Sequence, residues 1–294
     1  MTATHPASRG TIFVEDARIL DVAEYPGEQF VIRLDSPRCA SRATAGSFIH
    51  IQCDAAIPMR RPLSIMRVNA SEGWIEILFK IVGEGLRALS GKQPGDEASI
   101  IGPIGRGFEP DRHRPRALLI GGGVGIPPMI YLAEELKNDD HWRPLVIMGS
   151  EIPFPFDTAP SSIDTPWLSP QINSTMPLLE DWGIPTRLAT LQGYTGCYAG
   201  FVTDLSREWL KTRSQDELAT VSVFSCGPTP MLAAVAKLAN EFHLPCQVSL
   251  EEFMACAVGG CAGCAVRVQT DQGPAMKRVC VDGPVFDATT IFPR

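Results

Sequence analysis

The stretch Ala117-Leu118-Leu119-Ile120-Gly121-Gly122-Gly123-Val124-Gly125 divides the chain into two grammars. Four apolar residues in a row read as a short buried strand, and the glycines after them as a tight turn into a helix over 127–137. Downstream, strands at 145–149, 186–191 and 221–225 alternate with helices near 202–211 and 230–242. That alternation predicts a doubly wound parallel sheet with helices on both faces. Upstream, short apolar or alternating runs at 11–14, 30–34, 47–52, 63–68, 74–81 and 97–101 are punctuated by Gly, Pro, Asp and Asn. They predict an antiparallel β-barrel or sandwich, interrupted by one helical piece at 84–89. A polar, basic linker at 109–116 joins the two halves, and a Pro- and Ser-rich stretch at 151–181 reads as a surface excursion or lid.

Composition bounds the function. The 294 residues are 45% hydrophobic and 20% charged, enough apolar material for more than one core. A net charge of −7 argues against a protein that coats nucleic acid or anionic membrane with Lys and Arg. There is no uninterrupted apolar run of about 18 residues to span a bilayer. Residues 1–10 lack the apolar region of a signal peptide, so the expected compartment is the cytoplasm.

The chain has nine cysteines, which a reducing compartment keeps out of disulfides. Five (Cys39, Cys53, Cys197, Cys226 and Cys246) stand apart and read as small buried hydrophobes. The other four follow the pattern Cys256-x4-Cys261-x2-Cys264-x15-Cys280, the plant-type [2Fe–2S] spacing. Gly259, Gly260 and Gly263 within the loop are expected to supply positive φ and close approach. A structural zinc also takes four cysteines, but as two short C-x2–4-C knuckles, which this spacing fits poorly.

Two turns bear on nucleotide binding. Gly121, Gly122, Gly123 and Gly125 follow a strand and open a helix, a context that suits a pyrophosphate. The spacing is not G-x-G-x-x-G, so the same residues also read as a merely tight strand–helix turn. Cys226-Gly227-Pro228 follows the strand at 221–225 and places a second turn at the same end of the sheet. Glu151, just past another strand, is either a ribose 2′-OH acceptor that favours NAD over NADP or a solvated surface carboxylate. In the β half, Arg61-Pro62-Leu63-Ser64 joins a guanidinium fork to a hydroxyl, and Gly83-Glu84-Gly85 opens a helical piece, both suited to phosphate.

In this order the pieces resemble the ferredoxin–NADP reductase superfamily, with Arg61–Ser64 similar to its R-x-[YFL]-S flavin motif. Met254-Ala255-Cys256 through Cys264, with Val279-Cys280-Val281-Asp282-Gly283-Pro284-Val285-Phe286, resembles the electron-transfer subunits of the class 1B dihydroorotate dehydrogenases. The resemblance implies an FAD-binding barrel (8–112), an NAD-binding α/β domain (113–246) and a [2Fe–2S] module (247–294). It implies that Arg61, Pro62, Leu63 and Ser64 line the FAD and that Leu78, Phe79 and Lys80 run beside it through their backbone. Gly85 and Leu86 meet its pyrophosphate, Leu86 standing where the family usually has Thr. Gly121, Gly122, Gly123, Gly125, Cys226, Gly227 and Pro228 form the NAD(H) turns, with Cys226 near the nicotinamide. Cys256, Cys261, Cys264 and Cys280 ligate the cluster. No acid–base residue of the chain need be catalytic. The implied partner is an FMN-containing dihydroorotate dehydrogenase catalytic subunit in pyrimidine synthesis, in a hetero-oligomer. A hydrogenase, sulfur reductase or oxygenase partner, or a non-enzymatic redox or metal sensor, are the alternatives.

Overall fold

The computed structural model describes residues 11–293. Residues 1–10, on which the expectation about a leader rests and which include the first residues of the expected barrel domain (8–10), and residue 294 lie outside the described residues.

The β half is a closed six-stranded barrel of strands β1 (Phe13–Tyr25), β2 (Gln29–Asp35), β3 (Phe48–Ile51), β4 (Arg61–Asn69), β5 (Trp74–Lys80) and β6 (Glu97–Ile104), ordered β1-β2-β5-β4-β3-β6. Period-two alternation builds it. Ile75, Ile77 and Phe79 of β5 point inward to meet Ile32, Ile49, Ile65 and Ile100, while Glu76 points outward to Arg33 and Arg67. Helix α1 (Pro37–Ala40) follows β2, and α2 (Gly83–Ser90) is the expected helical piece. Strand β1 is far longer than the run at 11–14, because its charged outer face hides the alternation beneath it.

The second half is a seven-stranded sheet. Strand β7 (Arg116–Gly122) runs through a single 3-10 turn (Gly123–Gly125) into α3 (Ile126–Leu136), and β8 (Arg143–Gly149) lies beside it. The excursion contains the two-residue strands β9 (Ala159–Pro160) and β10 (Ser174–Thr175) and helix α4 (Pro177–Asp181). There follow β11 (Thr186–Thr190), β12 (Tyr198–Ala199), α5 (Val202–Lys211), α6 (Gln215–Leu218), β13 (Val221–Cys226), α7 (Thr229–Glu241) and β14 (Cys246–Ser249). Helix α5 buries Val202, Leu205, Ser206, Trp209 and Leu210, one stripe at helical spacing, and the Asp204 carboxylate accepts the Phe201 N–H at its start.

The C-terminal part is a hairpin of β15 (Ala265–Thr270) and β16 (Gly273–Arg278), then α8 (Val279–Asp282), β17 (Val285–Asp287) and α9 (Ala288–Ile291). Strand β17 returns to the large sheet and pairs antiparallel with β14, completing the order β12-β11-β8-β7-β13-β14-β17. Among the described residues no helix is long and apolar enough to cross a membrane.

The excursion packs as part of the body. Phe154, Phe156 and Leu179 are buried, and Gln29 of the barrel donates to the Pro153 carbonyl at 2.8 Å. From below, the buried Arg187 of β11 donates to the Ile163 carbonyl (2.7 Å) and to Thr165 Oγ1 (2.9 Å). Arg187→Leu removes both bonds and leaves Thr165 Oγ1 buried without this donor, with an expected loss of about 2 kcal/mol in urea unfolding. The same variant is expected to make 151–181 cleavable by chymotrypsin under native conditions; wild-type resistance would contradict the clamp.

Candidate redox site

The surface expected to take a flavin is the outer face of β4 and β5. Alternation along β4 leaves Pro62 and Ser64 half-exposed and turns Leu63 into the barrel core. Position 63 therefore offers a flavin its backbone and not its side chain. On β5, Phe79 is likewise internal, stacked on Phe30 with ring centroids 5.6 Å apart, while Lys80 remains half-exposed and Leu78 is buried.

The phosphate end is better defined. Helix α2 has no side-chain cap at its N-terminus, which leaves its first N–H groups free. The Arg61 guanidinium, held by the Met59 carbonyl at 2.8 Å, lies beside Gly85. A Cβ at position 85 would sit 3.2 Å from Arg61 Nη2. An uncapped helix start facing a guanidinium is a cradle for a pyrophosphate, and the residues fit an FAD there. Leu86 is buried, so it contributes packing in place of a hydroxyl.

The two glycine turns meet at the carboxyl ends of neighbouring strands. A Cβ on Gly125 would overlap the Cys226–Gly227 peptide, and Gly122 and Gly227 both close on Met231. The close approach is real, but the N–H supply differs from the expectation. Pro127 and Pro128 hold the first turn of α3 and have no N–H, so donors come only from the turn itself. Burial pushes the Cys226 thiol far above its usual range, with Glu251 adding to the shift, so it stays protonated. Cys226 is fully buried, while Pro228 is the exposed tip of that turn. Glu151 stands exposed just beyond β8. Glu251, whose carboxyl is pushed up by desolvation, follows β14 at the same end of the sheet and was not singled out from sequence. A carboxylate directly after a strand's carboxyl end is the signal that marks it.

The four module cysteines come as two pairs. The Cys261 N–H donates to Cys256 Sγ at 3.4 Å, and the Gly263 N–H to Cys261 Sγ at 3.4 Å. Cys264 and Cys280 lie side by side in the interior, 3% and 1% exposed, whereas Cys261 is exposed. Burial works against ionisation of Cys256, yet N–H groups of Cys261, Val258 and Gly260 outweigh it and hold the thiol down to about 7. Cys280 is pushed up to about 12 by burial and by Cys264 beside it.

Among the described residues no three His, Cys, Asp or Glu side chains are grouped to hold a single metal ion. Two pairs of thiols suit a binuclear centre with two protein ligands on each iron, and N–H groups aimed at sulfur suit its negative charge. The loop departs from expectation in one respect: of its three glycines only Gly259 has positive φ (82°), while Ala257 (56°) and Ala262 (55°) take the left-handed region. At Gly260 and Gly263 a Cβ would meet Cys256 and Cys261 Sγ at ordinary contact distances of 4.0 and 3.5 Å, so the expected close approach does not require glycine at either position.

The module is seated on the barrel. Met254, Ala257, Cys264, Val279 and Cys280 form one apolar cluster with Phe48 and Ile104. Arg278 donates to the Gly259 carbonyl at 2.8 Å, fixing the loop to the hairpin. The Asp282–Phe286 tail locks against β6: Pro284 rests on Gly105, and the Phe286 ring covers Gly283.

Residues 251–292 match the family described as the iron-sulfur cluster binding domain of dihydroorotate dehydrogenase B. A protein of Desulforamulus reducens named dihydroorotate dehydrogenase B (NAD(+)), electron transfer subunit, is 30% identical over 93% of this chain and 96% of its own length. The chain belongs to this family of electron transfer subunits. A subunit of the same name from Geobacillus kaustophilus is 35% identical, with 83% of this chain and 84% of that protein covered. Among solved structures, a chain of the NADH-dependent reduced ferredoxin-NADP oxidoreductase superposes with a TM-score of 0.74 at 24% identity, covering 94% of this chain and 90% of that one. The ferredoxin reductase of carbazole 1,9a-dioxygenase gives 0.60 at 19% identity, over 80% and 67%. These likenesses establish a ferredoxin-reductase fold for the electron transfer subunit.

Gly125→Ala places a methyl group on the Cys226–Gly227 peptide and is expected to weaken NADH binding about ten-fold or more, since a displacement of this kind misplaces the ligand. Titration of the flavin-loaded protein with NADH checks it, and unchanged affinity would separate this turn from the nucleotide.

Proposed function

We propose that this chain passes electrons between NAD(H) and a partner oxidoreductase through FAD and a [2Fe–2S] cluster, the partner being the FMN-containing catalytic subunit of dihydroorotate dehydrogenase. The observation that carries the reading is the seating of the paired cysteines against the same barrel whose strand β4 begins with Arg61, Pro62 and Ser64. When bound, FAD exchanges a hydride with NAD(H) and single electrons with the cluster.

The chain's own residues bind and orient. Arg61 and the start of α2 hold the FAD pyrophosphate, with residues 8–112 as the flavin domain. Residues 113–246 take NAD(H) against the turns at Gly121–Gly125 and Cys226–Pro228. Glu151, exposed beyond β8, favours a free ribose 2′-OH over a phosphate and hence NAD. In the module 247–294, Cys256, Cys261, Cys264 and Cys280 ligate the cluster. Around that loop Phe253 is 94% exposed and Val258 50%, an apolar rim that fits a docking surface. All nine cysteines are free, which supports a cytoplasmic location.

Anaerobically purified protein is expected to show flavin and [2Fe–2S] absorbance that NADH bleaches together; a colourless, zinc-containing protein would overturn the reading. Cys280→Ser is expected to lose iron while retaining flavin. Arg61→Ala is expected to weaken FAD binding by about 2 kcal/mol, the loss of a charge-assisted contact. Affinity capture of the native partner tests the last step, and recovery of an unrelated oxidoreductase would replace dihydroorotate dehydrogenase as the acceptor.

A further inference from the structure

His50 is 1% exposed, and both of its ring nitrogens are buried without a hydrogen-bond partner. It lies on β3 in a strand otherwise made of Phe48, Ile49 and Ile51. Ile49 and Ile51 face the barrel core, so Phe48 and His50 face outward. Phe48 packs against Met254, Ala257, Cys264 and Cys280 of the module. Across the ladder His50 pairs with Pro62 and Phe48 with Ser64. His50 therefore stands on the seam between the strand read as flavin-bearing and the loop that carries the cysteines.

The groups around the ring are few. The main chain of Met254, two residues ahead of Cys256, faces it, as does that of Arg60, one ahead of Arg61. Arg60 is itself occupied, donating to Ser99 Oγ at 2.9 Å and to the His50 carbonyl at 3.3 Å. Burial, with the positive charges of Arg60 and Arg61, lowers the His50 pKa and keeps the ring neutral. A neutral imidazole has one N–H donor and one acceptor nitrogen, and burying both unpaired is costly.

We infer that His50 is a positioning residue for electron transfer between flavin and cluster, its ring hydrogen-bonding the main chain at Met254 when both groups are seated and so fixing the cysteine loop against β3, the neighbour of β4. The inference rests on the functional reading above. In the step it serves, reduced flavin is oxidised and the cluster reduced one electron at a time, with NADH as the reductant. His50 neither gains nor loses a proton in it.

The test uses the full chain loaded anaerobically with FAD and cluster. In His50→Leu, NADH is expected to bleach the flavin at the wild-type rate, while cluster reduction slows about ten-fold or more through misplacement of the loop. The electron paramagnetic resonance signature and midpoint potential of the cluster are expected to shift with it. His50→Gln, which restores a donor and an acceptor, is expected to recover rate and signature together. Wild-type cluster signature and rate in His50→Leu, or a glutamine variant no better than leucine, would overturn the inference. Should His50→Leu fail to fold, nitrogen-15 spectra of histidine-labelled wild-type protein decide the matter. One hydrogen-bonded ring nitrogen at His50 is expected, and two free nitrogens would refute the bond. A wild-type protein whose flavin NADH does not bleach overturns the functional reading itself, a result distinct from any of these.

Discussion

Pro284 rests on Gly105, where no side chain fits, and the Gly283 carbonyl takes the Arg106 N–H. Gly105 holds φ at +96°, a conformation that glycine adopts at little cost. The contact joins the end of β6 to the tail of the cysteine module. From the same tail β17 continues into the large sheet beside β14, and the Leu250 N–H reaches the Pro284 carbonyl at 2.9 Å. Barrel, sheet and module are thereby held by one short segment. On the proposed reading each of the three units carries one of the redox groups, and this clasp ties all three together at one point.

The second contact between barrel and sheet is of a different kind. Arg67 bridges Glu76 and Glu134, both at 3.4 Å, and Arg33 meets Glu76 at 2.6 Å. Trp74 and Trp182 lie against the Arg67 guanidinium. Glu76 is buried and Glu134 and Arg67 mostly so, and the cost of desolvating these charges offsets much of their attraction. The apolar burial of α3 is the larger effect: Ile126, Met129, Ile130, Tyr131, Leu132, Ala133 and Leu136 are all buried, since the helix lies between the sheet and β4. The charges set how the two halves face one another, and the helix supplies the adhesion.

Much of this was legible locally. Helix α5 was readable to its ends because its stripe and its first-turn acid are properties of ten consecutive residues. The β7 strand and its glycine turn were equally plain, as was the cysteine spacing. What escaped depends on pairing across long separations. The length of β1 emerges only when β2 and β6 lie on either side of it. The return of β17 to β14 joins segments about forty residues apart through antiparallel pairing that no local pattern announces. The inward turn of Leu63 follows from strand parity, and the missing N–H groups at α3 follow from two prolines that were in plain view.

The cysteine pairs also differ in where they lie, and the difference has a direction. Cys264 and Cys280 share their apolar cluster with Phe48 and Ile104, on the barrel side. Cys261 is exposed, and Cys256 half-exposed, among Phe253 and Val258 on the outer side. The inner pair is insulated from water, which raises the cost of charge there and suits a centre that must not leak electrons to solvent. The outer pair is stabilised by backbone N–H groups, which hold negative sulfur where little protein covers it. The four thiols therefore run from an inner pair packed on Phe48 and Ile104 of the barrel to an outer pair open to solvent, so on the proposed reading a cluster held by them would have its more accessible edge at Cys256 and Cys261.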